Sequence, residues 1–541
     1  MQTPAALVPL HNPVFRGLWF AWLAANLTMW MNDVAAAWLM TSLTTRPLMV
    51  ALIQTASTLP VFLLGIPSGA MSDIVDRRRY FAATQLWVLV VALLLAVLAT
   101  AGALSATMLL LLTGLNGIGL AMRWPVFSAI VPQVVSRDHL SAALGLNGIS
   151  MNLSRVIGPI VAGALISLVS PAAVFVLNAV LAGGAMLLIL RWRSTAETSP
   201  LPGERFVGAM RAGLAFTMQS PRLKVVMLRI FLFFIQAYGL VGLLPLVARQ
   251  LHGGGPATFT VMLSCVGGGA IVAVLYFPKL RERFSRDQFV RYGTLVHAAF
   301  SVLTVLVPEV WVALPAMVIV GMAWISVANS LTLSAQMALP DWVRARGMSI
   351  YQTALMGGSA AGALLWGQLA GWTSVRWGVI GAAVFGVVAL LLTHRLRIEH
   401  GEEIDFTPMP ARSLPEPAEP IGPQEGPVMV MLEYRIEPAR AAEFAAVMQE
   451  TRSARLRQGA LSWGLFRDAA ESGHYIEYFV DENWVEHQRR LVRFSASDAA
   501  LRSKRLAFHL GPEPPKLTRY VAERMPTSGS PPASSARTEP A

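Results

Sequence analysis

Long apolar stretches alternate with short polar breaks from residue 15 to residue 395. A membrane-crossing helix needs about 20 mainly apolar residues. Windows of that kind fall near 15–40, 48–71, 81–101, 107–130, 142–168 and 172–190. After a polar break they resume near 224–247, 257–278, 288–308, 311–337, 347–371 and 375–395. The pattern predicts twelve helical spans, split six and six by residues 191–221. That break holds a Pro/Gly/Ser-rich piece at 199–203, then residues 206–218, whose spacing predicts a short amphipathic helix on a membrane surface.

Past residue 397 the pattern changes. Residues 397–427 form a Pro/Glu-rich linker that cannot build a core. Residues 428–434 read as a strand, 439–456 as a helix with Phe444, Val447 and Met448 on one face, and 461–468 with 474–480 as a hairpin. A second helix at 484–494 keeps Trp484, Gln488 and Leu491 in register, and 518–523 reads as a last strand. The order β-α-β-β-α-β is that of ferredoxin-like folds. The expected fold is an all-α polytopic membrane protein of two six-helix halves, residues 1–190 and 222–396, followed by a small α+β soluble domain at 428–525. Residues 526–541 are expected to be disordered.

Composition agrees with many spans. The chain is 55% hydrophobic and only 14% charged, against roughly 25% charged in soluble proteins. Residues 1–13 lack a basic start and the apolar segment from Val14 runs into a full span, so no cleavable signal peptide is expected. The single cysteine, Cys265, excludes an internal disulfide framework and a Cys-rich metal site, and reads as a small packing residue. No metal cluster, phosphate loop or Ser/His/Asp constellation is visible, so no metal or cofactor is expected.

The net charge of +12 is unevenly placed. Residues 1–397 hold 26 Lys+Arg against 10 Asp+Glu, leaving 17 against 21 for the tail. The basicity therefore belongs to the membrane part, and nucleic acid is excluded as a partner. With the N-terminus inside, the cytoplasmic face collects Arg16, Arg77 to Arg79, Arg137 and the central and later loops, while the opposite face holds only Arg46, Arg249 and Arg376. That asymmetry predicts an inner (plasma) membrane protein with both termini cytoplasmic.

One short turn carries more than the rest. In Gly69-Ala-Met-Ser-Asp73-Ile-Val-Asp76-Arg77-Arg78-Arg79, glycine permits close helix approach, and the aspartates can pair with basic groups at neighbouring helix ends. The segment resembles the loop between helices 2 and 3 of major facilitator superfamily transporters, which implies control of the inward/outward equilibrium by Asp73 and Arg77 to Arg79. In the fifth span, Gly145, Ser154, Gly158, Pro159 and Gly163 keep the spacing of the exporter pattern of that superfamily, with Ser154 and Ala162 replacing two glycines. Small residues on one face allow close packing and Pro159 allows a bend. Residues 123–132, 152–159 and 339–352 are similar to the branch containing the enterobactin exporter and transmembrane secretion effectors. The resemblance implies export of a small molecule by two halves rocking around a midplane cavity. The tail resembles the small dimeric domains related to antibiotic-biosynthesis monooxygenases, which implies a second copy of the chain as its partner.

Ionisable groups within spans are costly and point to function. The candidates are Asp33 beside Asn32 in the first span, Arg155 with Asn152 in the fifth, and His297 in the ninth, turned toward the other half. Asp33 carries either a coupling proton or a contact with a cationic part of the substrate. Arg123 is misplaced for the span-4 arginine pattern of proton-coupled exporters, and both Arg123 and Arg229 read as interfacial anchors. In the tail, His487 beside Trp484 reads as a packed core histidine. A membrane-anchored enzyme or sensor acting through the tail stays open as the alternative.

Overall fold

The computed structural model describes residues 5–523 except 75, 136, 193–205, 282, 399–404, 408 and 410–416. Its helices start where the sequence punctuates. Asn12 accepts from the backbone of Val14 and Phe15 ahead of α1 (Pro13–Leu43), and Ser170 caps α6 (Pro171–Arg191), each with proline at the first helical position. Between them run α2 (Pro47–Ile74), α3 (Arg77–Thr100), α4 (Ala106–Val134) and α5 (Arg137–Leu168). After the short α7 (Phe206–Gln219) come α8 (Pro221–Gln250), α9 (Pro256–Arg281), α10 (Arg286–Leu306), α11 (Val310–Met337), α12 (Asp341–Trp372) and α13 (Val375–Leu392). Among the described residues, 10 helices are long and apolar enough to cross a membrane. Outside that set stand α1 and α12, of 31 and 32 residues, which carry Asn26, Asn32 and Asp33, and Arg344, Arg346 and Gln352.

The chain divides into two compact units, Met1–Phe206 with Pro221–Gly401, and Val207–Ser220 with Glu402–Ala541. Within the first unit the helix pairings occur twice. In the first half α1 packs on α5 and α6, α2 on α4, and α3 on α4 and α6. In the second half α8 packs on α12 and α13, α9 on α11, and α10 on α11 and α13. The halves meet through α2 against α12 and α5 against α9, again an equivalent pair of contacts. Such repetition is the signature of an internally duplicated transporter-type bundle.

Among the described residues, one buried apolar core spans both halves, at the end of the bundle near Trp38. There Trp38, Val50, Ile53 and Ala162 of the first half share a core with Leu243, Val247, Phe259 and Met317 of the second. Trp38 stacks on Phe259 at 5.8 Å and carries the Arg249 guanidinium 4.7 Å from its ring centroid. At the opposite end the buried cluster around Trp22, Phe81 and Phe127 is built from the first half alone.

The second unit holds a four-stranded antiparallel sheet, β1 (Val428–Arg435), β2 (Ser462–Arg467), β3 (His474–Asp481) and β4 (Lys516–Val521), in the order β2-β3-β1-β4. Strand alternation sends Val428, Val430, Leu432 and Tyr434 to one face, where they pack with Phe444 of α14 (Ala441–Arg457) and Trp484 of α15 (Trp484–Val492). A further helix, α16 (Ala496–Leu506), was not expected, because its cationic sequence lacks an apolar stripe. Its start is nonetheless written in the Ser495/Asp498 capping box. The expected surface helix exists as α7, but it belongs to this unit: Arg211 lies 3.4 Å from Glu482 and Phe216 stands 6.0 Å from Phe406.

Glu477 points from β3 into the tail's core at 0% exposure. Arg455 Nε donates to it at 3.0 Å, Tyr434 Oη at 3.0 Å and Trp463 Nε1 at 3.2 Å, with Arg505 at 3.9 Å. Burial alone would raise its pKa, but the Arg455 and Arg505 charges hold it below the usual carboxylate value. A folded value below the unfolded one stabilises above the unfolded pKa, and that stability is lost as pH falls through the folded value. Removing one partner of a buried pair costs about 3–5 kcal/mol. Glu477→Gln should therefore unfold or strongly destabilise the tail of the full-length protein, read as protease sensitivity beyond residue 428; wild-type resistance would contradict this.

Candidate functional site

Six helices bring polar side chains to the seam between the halves: α1, α2 and α5 from one side, α8, α11 and α12 from the other. Ser57 Oγ on α2 donates to Asp33 Oδ1 on α1 at 2.9 Å. Tyr238 on α8 lies near Ser359 on α12 and within electrostatic reach of both Asp33 and Arg155. Arg155 on α5 lays its guanidinium 5.2 Å from the Trp30 ring centroid on α1. Trp324 on α11 stands 5.8 Å from Tyr238 and 5.4 Å from Phe234. Ser57 and Ser359 are buried, whereas Asp33, Arg155, Tyr238, Trp30 and Trp324 keep partial exposure. One carboxylate, one guanidinium and a phenol between them thus line an apolar seam. The arrangement can accept a hydrogen bond, donate to an anion and stack against a flat group.

The other buried cations behave differently. Arg123 and Arg229 are 2% and 6% exposed, so neither is the interfacial anchor that the sequence suggested. Arg123 donates to the Ala25 carbonyl and to Asn26 Oδ1, and lies 5.4 Å from the ring of Trp22, which stacks on Phe127. It fastens α4 to α1. Arg229 donates to the carbonyls of Thr393 and Leu396, both at 2.9 Å, and so satisfies the end of α13. Both guanidiniums are spent on structure.

His297 does not face the first half. It packs 5.6 Å from Phe233 and 6.4 Å from Trp324, with Nδ1 3.4 Å from Ser301, because α10 sits against α8, α11 and α13. Asn32 is buried next to Asp33, but the helical rotation turns it out of the cluster and its Nδ2 has no partner. The side chain of Asn152 lies outside the described residues, as does that of Asp73. Asp33 and Arg155 both lie within electrostatic reach of Tyr238, and among the described residues they form no ion pair with each other.

The 69–79 motif is not a loop. Gly69 and Asp73 belong to the last turns of α2, and Asp76 caps α3 by accepting from the Arg79 backbone at 2.8 Å. Arg78 donates to the Leu190 carbonyl at the end of α6, while Arg77 and Arg79 occupy the first turn of α3. In α5 the exporter-like pattern divides by position. A β-carbon on Gly158 would lie 2.6 Å from Trp30 Cβ, and one on Gly163 would strike Thr260 of α9, so both glycines are required by close approach. Gly145 has no neighbour there, Ser154 bonds back to the Ser150 carbonyl at 2.8 Å, and α5 continues through Pro159.

In the tail, His487 is 1% exposed, with Nδ1 2.8 Å from Asp481 Oδ2 and its ring 5.3 Å from Trp484. Burial would raise the Asp481 pKa, yet Arg490 and the His487 hydrogen bond hold it below its ordinary value. The histidine is thus a bonded core residue. Sequence reasoning missed Ser57, Tyr238 and Ser359, since a hydroxyl in an apolar span carries no signature. The aromatic run from Phe231 to Tyr238 was the available hint.

A duplicated helical bundle around a polar seam defines a membrane transporter of the major facilitator type. The chain belongs to the transmembrane secretion effector family, whose model matches residues 4–527, tail included. A curated relative, the staphyloferrin A transporter of Staphylococcus aureus (strain NCTC 8325 / PS 47), is 21% identical over 252 residues, 46% of this chain and 63% of that protein's length. Among solved structures, a bacterial homologue of the human lysosomal transporter Spinster, inward-facing and unoccupied, aligns at TM-score 0.57 and 15% identity over 73% of this chain and 98% of that one. The nucleoside transporter NupG aligns at TM-score 0.57 and 11% identity over 71% and 99%. At such identities the likeness is one of fold. The family and these relatives are transporters, which removes the enzyme alternative.

Asp33→Asn keeps the shape of the site and removes the one carboxylate that the described residues bring to it. The loss of a charge-assisted hydrogen bond is worth about 1.5–3 kcal/mol, so transport in proteoliposomes should fall roughly tenfold or more with its pH dependence flattened. An unchanged rate and pH profile would assign Asp33 to packing.

Proposed function

We propose that this chain is a twelve-span secondary transporter that exports a small molecule across the inner (plasma) membrane by alternating access. The observation that carries the reading is the Asp33–Tyr238–Arg155 cluster, set at a seam whose two sides share an apolar core around Trp38 and Phe259. Rocking of the halves would open the Trp38/Phe259 end and close the other, presenting the cluster to each side in turn. The cationic loops lie at the end away from the Trp38/Phe259 core, which by the charge rule is cytoplasmic, with both termini on that side.

Export is supported by the exporter-like spacing in α5 and by the match to a family named for secretion. The curated relative is named for a siderophore, and a metabolite of that size class is the cargo we assign here. The 69–79 motif serves as the conformational control, with Asp73 biasing the end of α2 against α3. The tail is a ferredoxin-like cytoplasmic module, as its strand order and antiparallel pairing favour. Its second sheet face carries Met429, Met431, Ile476 and Tyr478 with exposed Phe466 (59%) and Tyr520 (49%), a surface suited to a second copy of the chain.

Loss of the gene should raise the cargo inside cells and lower it in the medium, read by untargeted mass spectrometry. Wild-type chain should restore both levels, and an inserted Asp73→Asn variant should restore them only partly. The reverse shift would show import, and no shift in any metabolite would remove the transporter reading. Full restoration by Asp73→Asn would remove the role given to the motif.

A further inference from the structure

We propose that Arg155 is the docking point for a carboxylate of the transported molecule, so that the cargo is an organic acid whose hydrogen-bond donor reaches Asp33. The proposal deepens the transporter reading above and rests on it.

Three arginines on the membrane helices make the comparison. Arg123 and Arg229 have their charge absorbed by backbone carbonyls and are closed off. Arg155 is not. Its neighbours are the face of Trp30 and the neutral phenol of Tyr238, its Nε has no hydrogen-bond partner, and no carboxylate among the described residues lies within ion-pair distance. A guanidinium held in an apolar seam without an anion is costly, and its planar fork matches a carboxylate in two parallel hydrogen bonds. The cation–π contact with Trp30 fixes the position of the fork without consuming its donors.

The rest of the site selects what accompanies that carboxylate. Asp33 lies within electrostatic reach of Tyr238 and, among the described residues, accepts a hydrogen bond from Ser57. A second anion there would be repelled, while a hydroxyl or amine would be bound. Trp30 and Trp324 provide faces for a flat, apolar middle. The complementary ligand is an acid at one end and a donor at the other.

Radiolabelled 4-hydroxybenzoate, benzamide and benzamidine report on this in a scintillation proximity assay with the purified full-length protein. The acid should bind at least tenfold tighter than the amide or the amidine. Arg155→Gln should abolish that preference and Arg155→Lys should recover part of it. Equal binding of acid and amide by the wild type, no binding of the acid, or an acid preference that survives in Arg155→Gln would overturn the proposal. The wild-type comparison decides even if a variant fails to fold. Failure here is separable from failure of the transporter reading: export of a cargo that carries no carboxylate, unaffected in Arg155→Gln, would end the acid site while leaving the transporter in place.

Discussion

A polar group carried into an apolar helical bundle must find a partner there, and the way each one does so organises this protein. Two arginines meet the demand with carbonyls: Arg123 ties α4 to α1, and Arg229 closes the end of α13. Asp33 meets it with Ser57, which joins α1 to α2. Arg155 rests on the face of Trp30 without the carbonyl acceptors that hold Arg123 and Arg229. The bundle therefore separates charges that hold helices together from a charge left available at the seam. The tail obeys the same constraint by another route, surrounding Glu477 with Arg455, Arg505, Tyr434 and Trp463.

The second organising feature is where apolar contact is spent. Among the described residues, one buried core is shared by both halves and another is confined to the first half, which under the proposed alternating access makes the shared core the closed end. Small residues make the closed end possible. At Gly163 and Gly158 the α5 backbone comes too close to Thr260 and Trp30 to admit even a methyl group. The seam cluster lies next to these approaches, so the same helices that close the bundle also position Arg155 and Asp33.

Much of the architecture was legible in the chain. Apolar runs, Asn/Ser caps and N-terminal prolines mark the helices, and the break at 191–221 falls where the duplication restarts. Asp33 and Arg155 were visible because a charge in an apolar run stands out. Their companions were not, because Ser57, Tyr238 and Ser359 acquire meaning only through neighbours on other helices. His297 misled for the same reason, since its span fixes its depth but not the side it faces. α7 escaped as well. Its amphipathic pattern announces an apolar face but does not name what covers it, and the cover here includes Phe406, nearly two hundred residues away in sequence.

Alternating access through this seam requires that the Trp38/Phe259 end open during transport. Trp38→Cys and Phe259→Cys, placed together in a chain whose single native cysteine, Cys265, is replaced by serine, bracket the contact that joins the halves there. A short, cleavable bis-thiosulfonate bridge across the pair should stop transport in proteoliposomes, and reduction of the bridge should restore it. Transport at the uncross-linked rate in a fully bridged sample would contradict alternating access through this seam.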